Sequence, residues 1–166
     1  MRTRKRTRFV KASFPFALII GLANCGGEAS PAEPVVEDDA VLAALEAGIQ
    51  DEFKAELIYE RVLDDFGSVR PFVNIINAEE RHSEAIARLY VARGLPVPES
   101  RWASGEIPSF SSVTAAFQAG VVAEIENAEI YDHYLALPLP ADVQTVFENN
   151  RAASLDRHLP AFEFCS

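Results

Sequence analysis

The chain has 166 residues, with 15 basic and 25 acidic side chains and a net charge of −10, which is about one domain with a single core. An acidic surface repels phosphate backbones, so no nucleic-acid partner is expected. Two cysteines are too few for a four-cysteine iron site, so any redox chemistry would need an external electron donor.

Residues 2–11 carry Arg2, Arg4, Lys5, Arg6, Arg8 and Lys11 and no acid, and an apolar run follows from Phe14 to Ala23. A basic head, a short apolar centre and small residues near a cut site describe a bacterial export signal over residues 1–24. The run is shorter than the ~20 residues that span a bilayer. Leu22-Ala23-Asn24-Cys25 resembles the lipoprotein processing box. That resemblance implies that Cys25 is acylated, becomes the mature N-terminus and holds the protein to a membrane. With Gly26 rather than Asp following it, the expected location is the bacterial cell envelope, as an outer-membrane lipoprotein facing the periplasm. The alternative is cleavage nearby by the ordinary signal protease, which would release a soluble exported protein and leave Cys25 free to pair with Cys165. Otherwise Cys165 is expected as a partly buried, inert thiol. Residues 1–24 hold six of the 15 bases and none of the 25 acids, so the mature chain keeps nine bases against 25 acids, a net charge of −16.

Residues 25–39 are small, acidic and Pro-containing, and read as a flexible tether. The folded part is expected over 40–166. Helix 1 starts near Asp38 or Asp39, whose carboxylates suit a helix N-terminus, and runs to about Phe66, with Gly67 as its stop. Helix 2 starts at Pro71, a favoured first-turn residue, and ends at Gly94. Residues 95–111, with three prolines and Trp102, form one long connection between helices 2 and 3. Helix 3 covers about Ser112 to Leu137 and is stopped by Pro138 and Pro140. Helix 4 runs from about Ala141 to the C-terminus, with a bend expected at Pro160. No stretch alternates with period two for long enough to make a strand. The expected fold is all-α, an antiparallel four-helix bundle.

Steps of three and four residues trace one face of each helix. Helix 1 gives Leu42, Leu45, Ile49, Glu52, Glu56, Tyr59, Leu63 and Phe66. Helix 2 gives Phe72, Ile75, Glu79, His82, Ile86 and Leu89. Helix 3 gives Val113, Phe117, Gly120, Glu124, Asn127, Tyr131 and Tyr134. Helix 4 offers two stripes, Val143-Phe147-Asn150-Ser154 and Leu155-His158-Phe162-Cys165. A weak internal repeat relates the halves: Glu52 and Tyr59 recur at one common offset as Glu124 and Tyr131, and His82 recurs at a slightly longer offset as His158.

Glu52, Glu79, His82 and Glu124 interrupt apolar lines in mid-helix, and His158 borders the interior on either stripe. Carboxylates and imidazoles are costly to bury unless something compensates them. Divalent cations inside a four-helix bundle fit the pattern, since Glu79-x-x-His82 puts two ligands one turn apart on one face. Tyr59 and Tyr131 are expected beside the ligands, orienting their carboxylates. Buried, hydrogen-bonded polar groups without any metal are the alternative. His133 falls off the stripe and is expected to be exposed.

With these residues in place, the chain resembles the ferritin-like superfamily, in particular its rubrerythrin-type and related bacterial members. Glu52-Phe53-Lys54-Ala55 through Phe66-Gly67, Val69-Arg70-Pro71-Phe72-Val73-Asn74-Ile75 and Ala78-Glu79-Glu80-Arg81-His82 look like the family's first hairpin. Ala153-Ser154-Leu155-Asp156-Arg157-His158-Leu159-Pro160-Ala161-Phe162 looks like its last helix. The resemblance covers about residues 40–165. It implies a carboxylate-bridged centre of two iron or manganese ions, with Glu52 and Glu124 as terminal ligands, Glu79 bridging, and His82 and His158 one on each metal. The family pattern has a second bridging Glu three residues before its last His, where this chain has Leu155. Glu56, one turn from Glu52, is the candidate replacement, and would bring three carboxylates to four against two divalent ions. Three functions follow as expectations: redox chemistry on O₂ or peroxide, metal binding or storage without turnover, and a metal-free helical bundle with an interaction role.

Overall fold

Apolar side chains at helical spacing, bounded by Gly and Pro, give an all-helical architecture in the computed structural model, which describes residues 39–165. The helices are α1 (Asp39–Phe66), α2 (Phe72–Ala92), α3 (Val113–Leu135), α4 (Ala141–Ala153) and α5 (Leu159–Cys165). A single 3-10 turn, Ser104–Glu106, lies in the long connection, and a π turn, Ser154–His158, joins α4 to α5. The export signal over residues 1–24, Cys25 and nearly all of the tether lie outside the described residues. Among the described residues no helix is long and apolar enough to cross a membrane.

Local sequence explains the ends. Gly67 and Gly94 take positive φ (79° and 67°) just past α1 and α2, a conformation that costs an L side chain about 1–2 kcal/mol. Ser112 caps α3, its side chain accepting from the Ala115 backbone N–H. The long connection is fastened to α1 at its far end, where the Phe110 backbone N–H donates to Asp65 Oδ2, and at its start by the buried Gln50. Its Nε2 donates to the Glu99 carbonyl, its Oε1 accepts from the Arg101 backbone N–H, and its own carbonyl accepts from the Trp102 indole.

The α1 seam sits one step away from the expected one. Val41, Leu45, Gly48, Glu52, Ala55, Tyr59 and Val62 are buried, in alternating steps of four and three. Steps of three and four from Leu45 reach Glu52 and Tyr59 by either route, so the pattern alone does not separate them. The outcome moves Leu42, Glu56, Leu63 and Phe66 to the flank, where all four are only half-buried.

The helix changes form near Pro160, where a bend is expected. The interruption precedes it, in a turn where the Leu159 N–H donates to the Ser154 carbonyl five residues back. A proline ring clashes with the carbonyl four residues earlier, here Asp156, and the wider π turn falls there. It also merges the two α4 stripes into one face, because Val143, Phe147, Asn150, Ser154, His158 and Phe162 are all buried. Leu155 is left half-buried, and Cys165, expected to be partly buried, is exposed.

Two apolar clusters fill the interior. One joins Leu45, Ile49, Ile86, Tyr131, Val143 and Phe147; the other joins Ala55, Tyr59, Val62, Phe72, Ala116 and Phe162. Close approach of helices is set by Gly48 and Gly120. A Cβ on Gly120 would lie 2.8 Å from Phe162 Cδ1, and that ring is itself packed on Tyr59 and Phe72. Gly120→Ala is therefore expected to destabilise the fold by about 1–3 kcal/mol through overpacking, despite the better helix propensity of Ala. Denaturant titration of G120A, F162L and the double variant checks this, the double being expected to recover part of the loss because Leu vacates the ring's space.

Candidate metal centre

Between the two apolar clusters lies a polar layer. Glu52, Glu79, Glu124 and His158 are buried, with Asn127, Asn150 and Ser154 beside them. His82 is half-buried, its side chain 12% exposed. The α1 seam carries Glu52 inward, α2 supplies Glu79 and His82 one turn apart, α3 supplies Glu124, and the π turn delivers His158. Helical spacing does this work, since each residue occupies a core register with an apolar neighbour one turn away, such as Ile49 for Glu52 and Ile75 for Glu79.

The structure brings five of the residues singled out from the sequence into two overlapping groups. Glu52, Glu79 and His82 form one, and Glu79, Glu124 and His158 form the other, each with its ligand atoms within 4.8 Å of one another. Glu79 belongs to both through different oxygens. Its Oε2 lies 3.0 Å from His82 Nδ1, and its Oε1 lies 3.1 Å from His158 Nδ1. His82 Nδ1 is also 3.5 Å from Glu52 Oε2, and His158 Nδ1 is 3.3 Å from Glu124 Oε2.

Tyr59 and Tyr131 hold the outer carboxylate oxygens in a reciprocal arrangement. Tyr59 on α1 donates to Glu124 Oε1 on α3 at 2.6 Å, and Tyr131 on α3 donates to Glu52 Oε1 on α1. Each carboxylate is thereby left with its other oxygen facing the centre. The Asn150 amide donates to the Tyr131 hydroxyl at 3.1 Å, so the phenol's proton is directed onto Glu52.

Fit to a cation rests on atoms left without partners. Glu52 Oε2, Glu79 Oε1 and His158 Nδ1 are buried and make no hydrogen bond. For His158 Nδ1 and Glu79 Oε1 this holds despite their 3.1 Å separation, because the ring nitrogen and the carboxylate are not aligned on each other. Buried polar atoms without partners are rare and costly. Converging nitrogen and carboxylate donors with tyrosine-held outer oxygens match what iron or manganese accepts, and each of the two groups could hold a metal ion.

Electrostatics agree. Burial pushes Glu52 up to about 7, with Glu79 nearby adding to the shift and His82 opposing it. Burial also acts upward on Glu79, but His158 and His82 outweigh it and hold that carboxyl below its ordinary value. Burial would lower both imidazoles, yet Glu52 and Glu79 raise His82 to about 10, and Glu124 and Glu79 raise His158 to about 9. In metal-free protein near neutral pH both imidazoles are thus held protonated beside these carboxylates.

Glu56 is not brought into either group. It is half-buried, and its Oε1 accepts from the Ser83 hydroxyl at 2.6 Å. His133 is exposed, as expected. Three further groups were on or beside the stripes without an assigned role. Asn127 donates to Asp51 Oδ2 at 2.9 Å and to Glu52 Oε1 at 3.3 Å, and accepts from Ser154 Oγ at 2.7 Å. Burial lifts Asp51 to about 6. Asp51 also lines a cleft of 590 Å³ with Lys54, Trp102, Glu126 and His133. The signal for Asn127 and Asn150 was a polar residue in an apolar register, and Asp51 gave none.

Comparison of the chain with protein-family models, with curated proteins and with solved structures finds no match.

Metal ions must displace the protons held by the two imidazoles, so ion binding is expected to release protons and to tighten as pH rises. The metal-free protein goes the other way. A histidine raised above the ordinary 6.5 stabilises the fold fully below that value, and the contribution is lost as pH climbs through about 9 and 10. Denaturant titrations at pH 6.5 and pH 10 are expected to show metal-free protein weakening and manganese-loaded protein gaining relative to it. Calorimetry in buffers of different ionisation enthalpy counts the protons released.

Proposed function

We propose that this protein is a ferritin-like, antiparallel four-helix bundle that holds two iron or manganese ions and uses them in redox chemistry on O₂ or peroxide. The observation that carries the reading is Glu79, whose two oxygens serve two separate histidine-and-carboxylate groups at one level of the interior. Its family assignment continues the sequence resemblance, in which Glu-Tyr pairs on two helices face Glu and His on the other two.

When bound, such ions supply electrons and Lewis acidity to small oxygen species through open coordination positions. This chain contributes the rest. Glu52 and His82 would hold one ion, Glu124 and His158 the other, and Glu79 would bridge. Tyr131 and Tyr59 fix the carboxylate orientations from outside. Phe72, Phe162 and Tyr59 on one side and Phe147 and Tyr131 on the other keep bulk water from the layer. His82, its side chain 12% exposed, makes the α2 edge the side on which a small molecule would reach the centre. Reducing equivalents come from an external donor. Envelope location with a lipid anchor at Cys25 belongs to the same proposal, and mass spectrometry of the mature N-terminus tests it; Asn24 retained on the protein would refute the anchor.

One observation favours a second reading, a metal-free bundle. The raised His82 and His158 would let the layer exist as imidazolium–carboxylate pairs. Anaerobic titration with ferrous iron decides between them. Two equivalents are expected for the wild type, none for Glu79→Ala, one for Glu124→Ala, and still two for Glu56→Ala because Ser83 holds that carboxylate outside the groups. Melting temperature should rise with metal for the proteins that bind. No uptake by the wild type would leave the metal-free reading. Repeated consumption of peroxide with an added reductant then separates catalysis from storage.

A further inference from the structure

The two halves of the chain repeat more closely than Glu52 and Tyr59 alone suggest. Gly48, Glu52 and Tyr59 recur at one constant offset as Gly120, Glu124 and Tyr131. Phe72, Ile75 and Glu79 recur at a second, longer offset as Phe147, Asn150 and Ser154. His82 and Ile86 recur at a third, a single position longer again, as His158 and Phe162. All of these are buried except the half-buried His82. Equivalent contacts recur too. Tyr59 meets Phe72 edge-on at 5.4 Å as Tyr131 meets Phe147 at 4.9 Å, and Gly48 faces Ile86 as Gly120 faces Phe162. The step between the second and third offsets is the extra position of the π turn Ser154–His158.

This register makes Ser154, rather than Leu155, the counterpart of the shared carboxylate Glu79. Ser154 is fully buried, and its hydroxyl is spent on Asn127 Oδ1. Asn127 in turn is the counterpart of Ala55 at the first offset. A small-and-acidic pair in one half, Ala55 and Glu79, thus becomes a neutral pair, Asn127 and Ser154, in the other. Neither neutral side chain carries a charge to offset a cation, and their two oxygens are hydrogen-bonded to each other, Ser154 Oγ donating to Asn127 Oδ1. Among the described residues no other carboxylate joins the groups: Glu56 is held by Ser83, and Asp156 is exposed. Glu52, Glu79 and Glu124 supply three negative charges against the four positive charges of two divalent ions. An uncompensated charge is costly in a buried layer.

We propose that the centre is completed by a small exogenous monoanion of carboxylate size, which bridges the two ions on the Ser154 side, opposite Glu79. The proposal rests on the two-ion reading and names a ligand for it. On the two-ion reading Glu79 serves both ions, while its counterpart Ser154 brings no carboxylate, so the missing negative charge comes from solution.

The test is Co²⁺ binding to the metal-free protein, followed by calorimetry and visible absorption, in buffer free of small carboxylates and again with acetate or azide added. In the wild type the first ion should bind alike in both buffers. The second should bind at least about tenfold more tightly with acetate, and azide should shift the absorption bands. Ser154→Glu should take up two ions with no acetate requirement, and Ser154→Asp serves the same purpose if circular dichroism shows that the longer side chain disturbs the fold. Ser154→Ala should keep the acetate dependence, since a methyl group adds no charge. Two ions bound in the wild type without any response to acetate or azide would overturn the proposal while leaving the two-ion reading intact. Acetate dependence unchanged in both acidic variants would overturn it as well. Failure of the wild type to bind Co²⁺ at all would remove the two-ion reading, and this inference with it.

Discussion

Everything in this molecule is arranged around one expense, the burial of three carboxylates and two imidazoles in a single layer. Removing such groups from water is unfavourable unless each is paired, hydrogen-bonded or bound to a cation. The fold meets part of that cost itself. Tyr59 and Tyr131 satisfy the outer oxygens of Glu124 and Glu52 across the α1–α3 contact, and protonated His82 and His158 offset the inner ones. Three inner atoms still make no hydrogen bond, and they share one location. A bundle designed only for stability would carry apolar residues there, because replacing buried ionic groups with well-packed hydrophobes is often neutral or stabilising. The polar layer is therefore the part of the structure that needs a functional explanation.

The surroundings keep that layer in place. Large aromatic rings pack above and below it, and two glycines allow rings to approach helix backbones closely. Gln50, two residues before Glu52, anchors the long connection by three hydrogen bonds, so the α1 segment carrying Glu52 is braced from outside as well as packed from inside. Rigid support of this kind is what holds ligand atoms near a productive geometry.

Symmetry and its breakdown carry separate information. The halves match in their glycines, tyrosines, terminal carboxylates and histidines, which places equivalent donors around Glu79. They differ where Ala55, Ile75 and Glu79 of the first half correspond to Asn127, Asn150 and Ser154 of the second. The π turn just after Ser154 keeps His158 in the layer despite Pro160, and it turns Leu155 toward the flank. A local irregularity of the backbone thus decides which side chain on the last helix meets the centre.

Much of this was legible in the chain itself. Helix positions follow from the apolar steps and the Gly and Pro stops, since a 3.6-residue period leaves a direct mark on sequence. Glu52, Glu79, His82, Glu124 and His158 stood out because an ionisable residue in an apolar register breaks that period. Tertiary structure decided what periodicity leaves degenerate. Ala55 and Val62 rather than Glu56 and Leu63 form the α1 seam, because steps of three and four pass through Glu52 and Tyr59 in either order. Ser154 rather than Leu155 faces the interior, because a π turn has no signature in hydrophobic spacing and simply joins two stripes that look like alternatives. Asp51 and Ser83 acquire their roles from partners on other helices, Asn127 and Glu56. Such contacts depend on how helices distant in sequence pack together, and no single stretch of chain encodes them.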